Sequence, residues 1–569
     1  MAEKTESRAG KEWRTPMWAW GVVALIALSG YGALQWFGDG TGDVNLPPGF
    51  TITTGGDSGS GSSGGPPAVG SGSLGDLIAA TGAGDSDRFR ASIAILPLVN
   101  RTGDSILDTL GNGMTEELFS RLSRIRGLKV IAPQSVQELE GSSLTVAQVA
   151  DTLDVDHLLQ GTAFPYQDAA RIQVRLLRVE EELELWSNDY SLDRTNQMRA
   201  VEEISDEVSA ALLEEVPSLS VRRGAGPSES PGYVAYLAGN RLLNARTRDG
   251  VLRAIEAFES AIQSDSTLAP AYASLSSAYA LAITYRYDID VDGYAAAGLA
   301  LWAAEEAVRL DPELAGAYAA RGYISSVALA PAQMVLEDFS RALELQPNLP
   351  NVRAWYANLL VREGYYDQAL AEAQAAVQLD PLAPARRTGL AFEALRARDY
   401  GLAIREARTA VSLGPDVILP RSIQALALLL SGRAEECLDL DLGPHAGIRA
   451  ICLHDVGRID RAAVIVDSLR TTILSGSQVH PDFTDVIPDG DLAAYFAWTG
   501  APDRAMPWIH RAFALSPSGI DPRVLESGVF ERLFDVGQRR REVADIRDRV
   551  WTRVQRELAE AEFVLGRSR

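Results

Sequence analysis

Lysine is almost missing from this chain: of its 53 basic residues only Lys4, Lys11 and Lys129 are lysines. Schiff-base chemistry and phosphate loops that rely on an amine are therefore excluded as organising themes. Cysteine is nearly as scarce, with Cys437 and Cys452 alone, too few for a disulfide-stapled scaffold and without the paired spacing of a structural zinc site. Two reduced thiols in a helical core are the expected state, and a disulfide between neighbouring helices is the open alternative. The histidines are His157, His445, His454, His480 and His510, and none stands in the i, i+4 arrangement of a zinc protease. Cys437, His445, Cys452 and His454 come nearest to a ligand set, but their spacing is irregular, so no metal and no other cofactor is expected. Positive charge is also in deficit: 76 acidic residues against 53 basic ones give a net charge of -23 and a pI near 4.8. That sign is wrong for a phosphate footprint, and nucleic acid is not an expected partner. The pairs Ser276-Ser277, Ser325-Ser326, Glu116-Glu117 and Glu305-Glu306 have no neighbouring base or oxyanion donor and read as helix surface, so no catalytic residue is assigned and an enzyme is not expected.

What is present fills 569 residues and 61.2 kDa, about twice what one hydrophobic core serves, so two or more structural units share the chain. A hydrophobic fraction of 46% excludes wholesale disorder. Met17 to Phe37 is a run of 21 residues without a charge, which at 1.5 Å per residue spans roughly 30 Å, a bilayer core. Trp18 and Trp20 stand at one end and Trp36 and Phe37 at the other, where amphipathic rings favour the two interfaces. Lys4, Arg8, Lys11 and Arg14 precede the run, and no basic residue follows it until Arg88. The expectation is a cytoplasmic tail over residues 1–16 and a transmembrane helix over 17–37. The bulk of the chain is then periplasmic, outside the inner (cytoplasmic) membrane. A cleaved signal peptide is the competing reading, because Ala27, Leu28 and Ser29 have the small-x-small form. Residues 38–86 are rich in glycine and serine and cannot bury enough to fold, so they read as a disordered linker.

Residues 87–220 alternate strand-like and helix-like patterns. Ser92 to Val99, Leu128 to Ala132, His157 to Phe164, Ile172 to Val179 and Leu183 to Tyr190 read as strands. Asp108 to Ile125, Thr145 to Leu153 and Gln197 to Leu213 read as helices. Pro97, Gly161 and Trp186 are expected to serve a strand end, a tight turn and core packing. The segments Ile93-Ala94-Ile95-Leu96-Pro97, Gly113-Met114-Thr115-Glu116-Glu117-Leu118, Leu122-Ser123-Arg124-Ile125, Leu158-Leu159-Gln160-Gly161-Thr162 and Leu185-Trp186-Ser187 follow one another as in the TolB amino-terminal-like domain. This region resembles that domain, which is related to FlgO-like modules of bacterial envelope proteins. The resemblance implies a binding or assembly role and no catalytic residues. Relatives often carry the domain with tetratricopeptide repeats behind an adenylate cyclase, a winged-helix regulator or a protein kinase; residues 1–86 are expected to hold only anchor and linker.

Beyond Pro227 an internal period takes over. Pro312, Pro347, Pro381 and Pro415 recur every 34 to 35 residues. Ala369, Ala373 and Ala376 before Pro381 match Ala403, Ala407 and Ala410 before Pro415, and Ala300, Ala304 and Ala307 before Pro312. Gly364 and Gly432 fall where two helices of a pair would turn. Residues 231–520 thus resemble tetratricopeptide repeats, about eight helical hairpins in which small residues let helices pack closely and proline ends the second helix. Tyr285 to Gly293 reads as an insertion, and Cys437 to Ala462 is shorter than a full repeat. Residues 523–569 are expected to form C-terminal capping helices.

The fold class expected is an α/β domain followed by an all-α solenoid, preceded by one transmembrane helix and a disordered linker. Stacked hairpins leave a groove lined by the first helix of each pair, which brings forward Arg321, Asn358, Arg362, Arg387 and Arg396 as candidates for an acidic peptide or a chain terminus. The expected function is that of a membrane-anchored envelope scaffold that binds protein or peptide partners. The alternative is a sensory or regulatory subunit with a ligand in the α/β domain. Sequence alone leaves the partner and the oligomeric state open.

Overall fold

The computed structural model describes residues 89–508, apart from 220–231, 476–487 and several gaps of one to four residues, together with residues 548, 551–559 and 561. The tail, spanning helix and linker expected over residues 1–86 lie outside the described residues. Among those described, no helix is long and apolar enough to cross a membrane.

The α/β region runs β1 (Ala91–Ile95), β2 (Val99–Asn100), α1 (Ser105–Leu122), β3 (Leu128–Val130), α2 (Pro133–Gln137), α3 (Val146–Leu153), β4 (His157–Tyr166), β5 (Ala169–Arg178), β6 (Leu183–Leu192) and α4 (Gln197–Glu215). The sheet order is β3-β1-β4-β5-β6, with β2 pairing β4. β1 is parallel to β3 and β4, and β4, β5 and β6 form an antiparallel meander. Alternation in β1 sets the two layers: Ile93 and Ile95 face the core under α1 and α4, while Ala94 faces α2 and α3. α3 starts where it does because Thr145 accepts from the Gln148 backbone N–H at 3.3 Å and the Gln148 side chain accepts from the Thr145 N–H at 2.9 Å. Gly161 is not at a turn: it lies inside β4 opposite Val174, and a Cβ there would come within 2.6 Å of the Leu98 side chain. Short α2 has no counterpart in the sequence expectation, which held a single strand up to Ala132.

The helical region pairs α5 (Tyr233–Asn244) with α6 (Arg248–Ser264), α7 (Ala269–Thr284) with α8 (Gly293–Leu310), α9 (Ala315–Val327) with α10 (Ala332–Leu345), α11 (Pro350–Arg362) with α12 (Tyr366–Leu379), and α13 (Pro384–Arg396) with α14 (Tyr400–Leu413). α15 (Leu419–Leu430), α16 (Ala434–Leu438), α17 (Ala446–Asp455), α18 (Ile459–Leu474) and α19 (Pro488–Trp498) follow. The recurring prolines come directly after the residues that end second helices: Asp311, Gln346, Asp380 and Gly414. Gly364 and Gly432 take φ of 91° and 76°, the left-handed conformation that lets the chain reverse between α11 and α12 and between α15 and α16. The matched alanines are all but fully buried, Ala369, Ala373 and Ala376 at 0%, 3% and 1% exposure. The insertion after Thr284 ends at Asp292, whose carboxylate caps α8 by accepting from the Tyr294 and Ala295 N–H groups. The region is a solenoid of stacked helical hairpins.

Cys437 and Cys452 are bonded, with a Cα–Cα distance of 6.2 Å, so the expectation of two reduced thiols is corrected. The bridge joins α17 to the five-residue α16.

The sheet and the solenoid touch along the outer edge of β3. Asn348, fully buried between α10 and α11, accepts from the Val130 N–H at 3.2 Å and donates to the carbonyls of Leu128 at 2.8 Å and Ser123 at 3.2 Å. One repeat further on, the Ala132 N–H donates to the Leu379 carbonyl at 2.8 Å, and the Ser135 hydroxyl donates to Asp380 at 2.7 Å while accepting from the Leu382 N–H at 3.0 Å. A bare strand edge would pair with other chains, and two repeat loops cover this one.

Candidate protein-binding surface

The first helices of successive hairpins stand side by side, and the five candidate residues lie on three of them. Arg321 is on α9, Asn358 and Arg362 are on α11, and Arg387 and Arg396 are on α13. Each meets an acidic side chain of the same solenoid. Arg321 grips Asp338 of α10 through Nε and Nη2 at 2.7 to 3.1 Å. Burial pushes the Asp338 carboxyl above its ordinary pKa, against the pull of that guanidinium. Asn358 donates to Glu393 at 3.2 Å, and Arg396 reaches the other oxygen of Glu393 at 3.7 Å, so one carboxylate brings α11 and α13 together. Arg362 lies 3.5 Å from Glu363, and Arg387 donates to Glu406 of α14 at 2.9 Å. Arg321 and Arg387 are partly exposed, whereas the Arg362 and Arg396 side chains are buried and do not line an open groove as expected; an acidic ligand would have to compete with Asp338 and Glu406 for the two guanidinium groups it can reach.

Sequence reasoning passed over two features of the same helices. Arg353 and Glu372 form an almost fully buried pair at 2.5 Å, with Arg353 also donating to the Pro347 carbonyl, which fixes the loop that carries Asn348. Tyr323 and Trp355 stack with ring centroids 4.1 Å apart, an aromatic platform across α9 and α11. Tyr323 is buried at 8% exposure and Trp355 packs beside it, a contact between two helices that no single-helix spacing reveals.

Of the capping helices expected over residues 523–569, residues 551–559 are described and helical, and the rest lies almost wholly outside the described residues. Val554 and Leu558, at 1% and 7% exposure, join the core of α7, α8 and α9. Trp551 packs against that cluster and against the next one, both of which include Trp355. The Arg553 guanidinium sits 3.8 Å from the centre of the Tyr294 ring. At Gly298 the two backbones come so close that a Cβ would lie 2.7 Å from the Glu557 carbonyl carbon.

In the α/β region, the gap between the sheet and helices α1 and α4 measures about 20 Å³ and is lined by Leu98, Met114, Leu159, Gly161 and Ile204 among others. That is room for about one water molecule. A larger ligand there would require the core to open.

No family model matches the chain. It is 29% identical over 199 residues to putative adenylate cyclase 3 of Rhizobium meliloti strain 1021, a match covering 33% of this chain and 32% of that protein. The chain thus spans about a third of that relative's length. Solved structures similar to it include TTC0263, a thermophilic tetratricopeptide protein of Thermus thermophilus (18% identity, 35% of this chain and 99% of that one, TM-score 0.29). YrrB, a tetratricopeptide protein with an unusual peptide-binding site, matches at 20% identity over 37% of this chain and 94% of its own, TM-score 0.23. The LpoB C-terminal domain of Salmonella enterica matches at 18% identity over 21% of this chain and 94% of its own, TM-score 0.16.

Proposed function

We propose that the protein is a membrane-anchored scaffold of the bacterial envelope that binds protein partners through its tetratricopeptide repeats, by recognition and not by turnover. The observation that carries this reading is the solenoid itself: first helices of successive hairpins stand side by side with partly exposed polar groups at Arg321, Asn358 and Arg387, a form suited to an extended or helical polypeptide. The Met17 to Phe37 run and its flanking charges support a single-pass anchor with the folded part outside the cytoplasm. The Cys437–Cys452 disulfide supports the same placement, since such bonds persist in oxidising compartments. The motif order around Ile93, Gly113 and Leu158 supports a TolB amino-terminal-like assignment for the α/β region.

The test is site-specific photo-crosslinking of the intact protein in its native envelope. A crosslinker at Asn358 or Arg387 is expected to capture one defined protein, and one at Glu180 on the exposed β5–β6 turn is not. Capture at Glu180 alone, or at none of the three, would count against the repeats as the binding surface. A second reading, a regulatory subunit akin to cyclase-linked relatives, is favoured by the partial match to the putative adenylate cyclase. A small molecule that raises the melting temperature and protects β4 from hydrogen exchange would support it.

A further inference from the structure

The helix of residues 551–559 buries one stripe and exposes the other. Trp551, Val554 and Leu558 turn inward while Thr552, Arg553, Gln555 and Arg556 are exposed. Ala561, partly buried, continues the inward spacing of 551, 554 and 558. Anchors three, seven and ten residues apart mark an amphipathic helix lying in a groove, one of the recurring ways proteins hold a peptide. The receiving surface is made for it at each point. Gly298 removes the side chain that would hold the helix backbone away from α8. The Tyr323–Trp355 stack lies beside the aromatic anchor, and the Tyr294 ring receives the arginine at the second position after that anchor. A repeat solenoid needs none of this for its own stacking, since α8 already packs on α7 and α9 through Ala297, Ala300 and Ala304.

We propose that the surface bounded by Tyr294, Gly298, Tyr323 and Trp355 is the ligand site of the solenoid, that its ligand is an amphipathic helix with a bulky aromatic followed by apolar residues at i+3 and i+7 and arginine at i+2, and that residues 551–559 occupy it as an internal ligand which a partner helix displaces. The proposal rests on the scaffold function above and gives its partner a chemistry. The net charge of -23 favours a partner helix whose outer face is basic, as the outer face of the internal one is at Arg556. A segment tethered in cis competes at an effective concentration in the millimolar range, so an outside helix binds well only when it is the better match or when the internal one is weakened.

The test uses the full chain and a fluorescent synthetic peptide of residues 546–562, read by anisotropy. The double variant Val554→Asp/Leu558→Asp is expected to bind the peptide about tenfold or more tighter than the unaltered protein. Adding Trp355→Ala to that double variant should abolish the gain. Equal binding by the unaltered and double-variant proteins, or no binding by a double variant that keeps its helical circular dichroism, would overturn the proposal. Leu558→Ala serves as the milder release, with raised hydrogen exchange over residues 551–559 as its readout. Loss of solenoid helicity in both variants would make the helix a fixed part of the core and would also overturn it. A partner crosslinked at Asn358 whose capture is indifferent to Trp355→Ala would remove this site while leaving the scaffold function in place.

Discussion

Two glycines in equivalent helices separate what backbone propensity does from what packing does. Gly322 in α9 faces Phe339 of α10, fully buried, and a Cβ would sit 2.7 Å from that ring. Gly389 in α13 has nothing within 4 Å of the corresponding point. Alanine at either position gains roughly 1 kcal/mol of helix propensity, but at Gly322 it forces the ring and the helix pair apart at a cost of about 1–3 kcal/mol. Gly322→Ala is therefore expected to lower the urea midpoint and Gly389→Ala to raise it; the reverse order would refute the packing argument. At this scale the sequence was informative where one residue type does one job, as at Ala403, Ala407 and Ala410, each fully buried. It was silent where a job depends on the partner. Arg321 and Arg362 read as a charged wall, but the oxygens of Asp338 and Glu363 face them.

Between elements, one carboxyl group links α17 and α19 beside the apolar cluster they share. Asp491 of α19 accepts from the Gly447 N–H at the start of α17 at 3.1 Å, and Gly447 permits the approach because a Cβ there would lie 2.5 Å from that of Asp491. Burial raises the Asp491 pKa from 3.8 to about 7, with the Gly447 hydrogen bond pulling the other way. A folded pKa above the unfolded one means that the native state binds the proton more tightly. Stability from this group is then full below about pH 4 and lost as pH rises toward 7. Asp491→Asn keeps an acceptor for Gly447 and removes the titration, so the melting temperature of the variant should lose part of its decline between pH 4 and 7. An unchanged pH profile would show that Asp491 is solvated. The short α16 belongs to the same scale: the sequence showed a curtailed repeat, and the structure adds the disulfide that joins it to α17.

For the folded region as a unit, the decisive contact is the loop that puts Asn348 against β3. Removing its amide would leave the Val130 N–H and the Leu128 and Ser123 carbonyls buried without that partner, a loss of about 3–9 kcal/mol at 1–3 kcal/mol for each of the three unmet groups. Asn348→Ala should therefore separate one unfolding transition into two in a denaturant titration followed by hydrogen exchange at β3 and at α12. A single transition with an unshifted midpoint would mean that the Leu379 and Ser135 contacts suffice on their own.

The repeat period, the helix-ending prolines, the buried alanines and the alternation of strands and helices before residue 220 were all determined by the sequence alone. Each is a short-range pattern: which side of an element is apolar follows from spacings of two or of three to four residues. Tertiary structure alone decided what covers those sides. Asn348 meets Val130 across 218 positions, Leu558 settles on Gly298, and each predicted groove arginine finds a carboxylate. Periodicity states that a face must be buried, whereas the identity of its neighbour depends on how whole elements pack, and no local spacing carries that information.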